Sequence, residues 1–301
     1  AWTARGLRVP SRNALLADVV PKAAYGRAYG FERAMDNLGA IIGPLLALVL
    51  VAAVGTRWAI ALSVIPGLLA AVAIVYAIRH TPKPAKTEHE PIRIKIRPVL
   101  RGALGRLMIG ISIFEIGNCA ATLLILRATD LLTPGRDTDT ATQLAIGLYI
   151  AYNIAATLVS VPAGHVGDRI SAARTLVLGV AAFAFAYTLF AIGPDTILGL
   201  VAAFIAAGIG IGVVETAEHS AVATLAPTQL RGSAFGLLAA VQSGGNLAAS
   251  AIAGILYTAL SPAWAFGFLA AAMVISMIVL VATSESRSAK TVISATPTGG
   301  G

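Results

Sequence analysis

A chain of 301 residues that is 57% hydrophobic and 12% charged, with a mean hydropathy of +0.82, cannot fold as a water-soluble domain. Soluble domains carry about 25% charged residues, and a body of this size has too little interior to hide so much apolar side chain. The formal net charge of +8 sits at the ends of apolar stretches rather than in a patch, which excludes a nucleic-acid surface and reads as membrane topology.

Apolar stretches of about 20 residues, enough to cross roughly 30 Å of hydrocarbon as helix, follow one another along the chain. The first twenty residues form a partial span. Further spans are predicted at 27–54, 57–78, 103–129, 143–163, 175–193, 196–222, 229–259 and 263–283. Open strands would leave backbone groups unpaired in lipid, so the spans are helices, and the Ala, Leu and Gly content suits close helix contact. Alternating the sides of successive connections puts every Lys and Arg except Arg57, Arg127 and Arg136 on one side. The positive-inside rule makes that side, and with it the C-terminus, cytoplasmic.

The connection at 79–101 opens Pro-rich and then alternates through Ile92-Arg-Ile-Lys-Ile-Arg97. Alternation alone reads as a strand, but with no sheet to join, its basic and apolar residues predict contact with anionic headgroups. The Ser-, Thr- and Gly-rich tail at 284–301 is expected to be disordered. Cys119 falls inside a span, so neither a disulfide framework nor a metal cluster is expected. The chain begins at Ala1 within a helical pattern and shows no cleavable signal peptide, and we read it as N-terminally truncated.

Residues 6–39 overlay 212–245 at an offset of 206, with an ordered core of Pro-x4-Gly-x-Ala-aromatic-Gly in both copies: Pro21, Gly26, Ala28, Tyr29, Gly30 and Pro227, Gly232, Ala234, Phe235, Gly236. An even number of helices separates the copies, so both face the same way across the membrane. Two parallel six-helix halves are the arrangement of major facilitator transporters. With Pro10 to Pro21 followed by Gly26-Arg27-Ala28-Tyr29-Gly30, which is similar to that family's connection between helices four and five, the sequence resembles the major facilitator superfamily over nearly its whole length. The resemblance implies an all-α polytopic membrane protein with about nine of twelve transmembrane helices present. Its parts would be the end of a first half at 1–78, the interdomain loop at 79–101, a second half at 102–283, and the tail.

Two further stretches carry the resemblance. Gly164-His-Val-Gly167-Asp168-Arg169-Ile-Ser171-Ala-Ala-Arg174 is similar to the family's cytoplasmic loop signature, with Ser171 in place of a Gly and Ala172 and Ala173 in place of a basic pair. A carboxylate there can lock onto a helix N-terminus, where the dipole favours an anion. The expected neighbour is the eleventh helix near Arg231, making Gly164, Asp168, Arg169 and Arg231 parts of a cytoplasmic gate; a solvated turn is the alternative. Gly30, Gly39 and Gly43-Pro44 resemble the fifth-helix signature of antiporters, although Ala47 and Leu48 replace its final Gly-Gly. Small residues let a second helix approach and Pro bends the helix. The match favours export, against a plain helix contact with no bearing on direction.

Ionisable residues at membrane depth mark pathways or relays by default. Glu115 lies near the middle of the seventh helix, with Asn118 one turn on; in the resembling family that helix lines the central cavity. A carboxyl group out of water favours its neutral form, as a proton carrier needs, while interhelical packing is the alternative role. Glu215, Glu218 and His219 cluster in the tenth helix. Under the repeat Glu218 corresponds to Arg12, which predicts a gate pairing Arg12 or Arg8 with Glu218 or Glu215, against exposed charges of little worth. Asn153, like Gln242 and Asn246, serves either the cavity or interhelical hydrogen bonding.

The reading is a secondary transporter in a bacterial cytoplasmic membrane, monomeric, working by alternating access. It would move a small amphipathic molecule outward in exchange for protons, with no cofactor, metal or nucleic acid. A proton-coupled importer and a receptor or scaffold on the same fold are the alternatives. An enzyme is excluded by the lack of a nucleophile–base pair at helical spacing, of His-Glu-x-x-His and of a phosphate-cradling Gly loop.

Overall fold

The computed structural model describes residues 2–80 and 96–295, with side chains over 9–76, 79–80 and 97–282. The described residues fold as α1 (Trp2–Val19), α2 (Tyr25–Leu62), α3 (Val64–His80), α4 (Ile96–Val99), α5 (Gly102–Gly117), α6 (Ala121–Leu132), α7 (Thr138–Ile170), α8 (Ala172–Ile192), α9 (Ile197–Leu225), α10 (Arg231–Ala259) and α11 (Pro262–Ala295), with no strand among them.

The two copies of the repeat are built alike. Pro21 (φ −59°, ψ 142°) and Pro227 (φ −55°, ψ 146°) each turn the chain out of the preceding helix into one 3₁₀ turn, Lys22–Ala24 or Thr228–Leu230, which feeds α2 or α10. Proline suits this place because it lacks the N–H that would continue the earlier helix.

Among the described residues, seven stretches are long and apolar enough to cross a membrane, one of them Lys22–Tyr76 with 55 residues. At 1.5 Å per residue that stretch is more than twice the ~30 Å hydrocarbon thickness. It divides at Gly55, whose φ of 80° and ψ of 163° lie outside helical values and are accessible without strain only to glycine. The division falls between the spans predicted at 27–54 and 57–78. From residue 45 on, α2 and α3 turn large apolar side chains outward, among them Leu48, Trp58, Ile60 and Leu69. Such a surface belongs in lipid.

The span predicted at 103–129 is broken: helix stops at Gly117 and resumes at Ala121. At the C-terminal end, α11 stays helical to Ala295, past the boundary expected for a disordered tail at 284–301, since no Gly or Pro interrupts the chain before Pro297. The expected headgroup contact at 92–97 lies mostly outside the described residues.

The densest packing joins α8 to α9, α2 to α7, α7 to α9 and α8 to α11. Glycines set these distances. A Cβ on Gly208 or Gly212 of α9 would strike the α7 backbone at Tyr152 or Ala156, and one on Gly30 of α2 would strike Ser160 of α7. Backbones this close are how helices associate where no hydrophobic effect drives them together.

Candidate functional site

The break between α5 and α6 builds the site. The Asn118 N–H donates to the Glu115 carbonyl at 3.1 Å, closing α5, while Asn118 takes φ −91° and ψ 85° and leaves the helix. Side chains from one face of α10 then satisfy the freed backbone. Asn246 Nδ2 donates to the Asn118 carbonyl at 2.8 Å, and the Ala120 N–H donates to Ser250 Oγ at 2.9 Å. α10 comes this near because a Cβ on Gly245 would collide with the Glu115 backbone and Cβ. Non-helical backbone at membrane depth is tolerated only where protein or a water-filled cavity receives it. Both are present.

The cavity holds about 500 Å³ and is lined by Phe114, Glu115, Asn118, Ile211, Glu215, Gln242, Ser243 and Asn246. Glu115, Asn118 and Glu215 are thus brought together, joined by Gln242 and Asn246. The lining is more polar than an amphipathic substrate alone would require, because the broken helix attracts amide side chains that a continuous one would not need. Within the site, Asn118 Nδ2 donates to Glu115 Oε2 at 3.0 Å, and Glu115 is 3% exposed. Asn153 does not line the cavity: its Nδ2 donates to the Tyr149 carbonyl at 2.8 Å on its own helix.

The expected pairing of Arg12 with Glu218 or Glu215 is not what forms. Arg12 bonds Glu32 and reaches Asp36 at 3.5 Å, both on α2. Glu218, fully buried, accepts from Gln242 Nε2 at 2.9 Å. The physical reason lies in the repeat. Arg12 corresponds to Glu218 and Asp36 to Gln242, so each side chain reaches its own neighbouring helix, 24 residues on in both cases. One ion pair that crosses between the halves joins Arg33 Nη1 to Glu215 Oε2 at 3.8 Å, with Arg33 also held by Glu32 at 2.5 Å and Asp36 at 3.0 Å. The Arg8 side chain lies outside the described residues.

A second cluster closes the basic end of the bundle. Asp168 accepts from the Gly26 N–H at 2.7 Å, the Arg27 N–H at 3.2 Å and Arg27 Nε at 3.1 Å. The carboxylate therefore caps α2, not α10 as expected. α7 and α10 belong to the same half, and the short loop after α7 faces the other half. Gly164 permits the approach, since a Cβ there would meet the Gly26 carbonyl. Ser171, standing where the resembling signature has Gly, adopts φ 137°, a conformation costly for a residue with a Cβ. Arg169 is exposed and makes no ion pair among the described residues.

Arg231, 7% exposed, pairs instead with Asp18 Oδ1 at 2.5 Å and donates to the Ala17 carbonyl at 3.0 Å and Tyr25 Oη at 2.7 Å. Asp18 and Tyr25 were missed from sequence, although the offset of 206 makes Tyr25 the repeat image of Arg231. Tyr29 and its image Phe235 also touch, ring centroids 5.9 Å apart. A residue that contacts its own image marks the axis relating the halves, so the halves meet closed at this end. His219 stacks into the same aromatic group, 6.1 Å from Phe235 and 5.8 Å from Tyr29.

Comparison with known proteins is consistent with this architecture. The family model described as Major Facilitator Superfamily matches residues 2–129 and 131–298. A transporter of that type from Methanocaldococcus jannaschii, itself uncharacterised, is 29% identical over 285 residues, covering 92% of this chain and 68% of its own length. An uncharacterised protein of Mycobacterium tuberculosis is 27% identical over 265 residues, covering 84% of this chain and 61% of its own length. The chain thus spans about two thirds of the curated relatives it matches. Two solved structures share the fold at 15% identity, each aligned over 90% of this chain and 67% of its own. One is a bacterial homologue of the iron transporter ferroportin in an outward-facing state, TM-score 0.70; the other is the human organic anion transporter MFSD10, TM-score 0.66.

Proposed function

The chain belongs to the major facilitator superfamily, and from that premise we propose that this membrane transporter works by alternating access, exchanging protons at Glu115 for a small substrate. The observation that carries the reading is the break in the α5–α6 helix, which opens Glu115 and Asn118 onto a cavity of about 500 Å³ shared with Glu215, Gln242 and Asn246. Discontinuous helices of this kind build midplane binding sites in secondary transporters. The lining fits a small amphipathic molecule rich in hydrogen-bond donors: the two carboxyl groups and the amide oxygens accept, while Phe114 and Ile211 supply an apolar wall.

The contacts at the basic end, through Asp168 on α2 and Arg231 on Asp18 and Tyr25, form the gate that is shut in this state. The positive-inside rule supports a cytoplasmic position for that end, and our reading is of a monomer in the cytoplasmic membrane. The cavity then serves the outward-facing half of the cycle. Gly30, Gly39, Gly43 and Pro44 in α2 support export. Of these, Gly30 sits tight against α7 while Gly39 and Gly43 face open space among the described residues.

The test uses the whole protein in everted membrane vesicles with an imposed pH gradient, offered a panel of lipophilic cations, antibiotics and sugars, against Glu115→Gln. Gradient-driven uptake of one compound, abolished in the variant, is the expected result. Uptake that persists unchanged in the variant removes Glu115 from the coupling. Uptake driven by the opposite gradient makes the protein an importer.

A further inference from the structure

Between the halves, the five acids Glu32, Asp36, Glu115, Glu215 and Glu218 lie in one cluster with two guanidinium groups, those of Arg12 and Arg33. Arg12 and Arg33 are shared among Glu32, Asp36 and Glu215. Among the described residues, Glu115 and Glu218 form no hydrogen bond or ion pair with a guanidinium; each has one amide, Asn118 for the first and Gln242 for the second. Glu218 is the more isolated. Its residue is 0% exposed, one carboxyl oxygen accepts from Gln242, and the other has no hydrogen-bond partner among the described residues. It does not line the cavity, but Gln242 does, standing between Glu218 and the space that Glu115 faces.

The repeat sharpens the point. Where the first half sets Arg12 against Asp36, a cation against an anion, the second sets Glu218 against Gln242, an acid against a neutral amide. A bare carboxylate left there carries a desolvation penalty that one amide does not repay, whereas the same pair becomes neutral once the acid holds a proton. We propose that Glu218 is a second proton-binding site, occluded behind Gln242, that takes up and releases a proton of its own during transport. This rests on the proton-coupled reading of the cavity. The proton passes from cavity water to a Glu218 carboxyl oxygen when Gln242 turns aside, and returns to water when the alternate state opens.

The charged groups that act on Glu218 are Glu115 of α5, Glu215 of α9 and Arg33 of α2; one step further out, Asp36 of α2 and Tyr152 of α7 act on Glu215, and Arg12 of α1 and Tyr29 of α2 stand by His219. On α8, Tyr187 faces Cys119 and Tyr152, and on α10 the facing group is the uncharged Gln242.

The experiment needs no substrate. Infrared difference spectra of the whole protein in lipid are taken across pH steps, following the carbonyl stretch of protonated carboxyl groups. Glu115→Gln and Glu218→Gln are each expected to remove a distinct titrating band. A Glu218→Gln spectrum identical to wild type overturns the proposal. Should that variant misfold, Gln242→Leu keeps the carboxyl and removes its donor: the band should move to higher frequency at undiminished area, and an unmoved band overturns the proposal equally. Loss of a band in Glu115→Gln alone leaves the coupled reading standing and sinks this one. If the Glu218 band titrates while vesicle transport ignores the proton gradient, the coupled reading falls and the site survives it.

Discussion

Replacing Asp168 by Asn isolates the contact that closes the basic end. The side chain is 12% exposed, and its carboxylate caps two backbone N–H groups at the start of α2. The bond to Arg27, whose side chain is 51% exposed, is screened by water and is worth under ~1 kcal/mol. The capping bonds weigh more: a hydrogen bond to a charged group contributes about 1.5–3 kcal/mol, and an anion at a helix N-terminus a further 0.3–1 kcal/mol or so. Asn keeps one acceptor oxygen, so one capping bond survives in neutral form. The net loss is about 2–3 kcal/mol, a shift of roughly 30- to 150-fold in the closed-to-open ratio.

The two states must lie within a few kcal/mol for transport to proceed, so a change of that size is visible. Spin labels at Lys22 and Arg174, both exposed and on opposite sides of the contact, report the separation in the whole protein; the native Cys119 is buried and stays unlabelled. The Asn variant should populate a longer distance at the expense of the shorter one. A distribution matching wild type would refute the latch and leave Asp168 as a solvated turn.

Further outcomes follow from the broken helix and from the cap of α7. Asn246→Leu removes the donor to the Asn118 carbonyl at fixed side-chain bulk, a loss of about 1–3 kcal/mol for a buried acceptor; the denaturation midpoint of the whole protein should fall, and an unchanged midpoint would mean that water replaces the amide. Asp137, outside the spans, accepts the Thr140 N–H at 2.8 Å, and that bond holds its carboxyl below the ordinary aspartate range. A depressed native value means the cap acts above the ordinary range and is lost as pH falls through the native value. Amide exchange at Thr140, corrected for its intrinsic rate, should therefore speed up in acid and in Asp137→Ala, and the variant should lose the acid response.

What the sequence made legible was whatever is local or repeated. Span lengths and the division between 27–54 and 57–78 followed from hydropathy, and the matched entries to α2 and α10 from Pro21 and Pro227. The break at residues 118–120 was not legible, because 103–129 contains no proline and reads as continuous apolar helix. The break persists because Asn246 and Ser250 satisfy its backbone from 128 and 130 residues away. Asp168 was recognised but assigned the wrong partner, since its cap crosses from one half to the other and no sequence spacing encodes that. Arg12 went wrong in the opposite sense: it was expected to cross and stays within its own half. Only the offset applied to contacts, rather than to residues, would have separated the two cases.

That offset also locates where the halves differ in function. At the basic end images meet images, Tyr25 on Arg231 and Tyr29 on Phe235, so closure there draws on what the copies share. Deeper in the bundle the copies diverge. Asn246 and Ser250, which hold the broken helix open, stand opposite Ala40 and Pro44 in the first copy, neither of which has a side-chain hydrogen-bond group. Glu218 stands opposite Arg12. The contacts at the basic end thus join equivalent positions of the two copies, whereas the side chains that hold the broken helix have no counterpart in the first copy. A substitution restoring symmetry at 246 or 250 should damage the cavity while leaving the basic end closed.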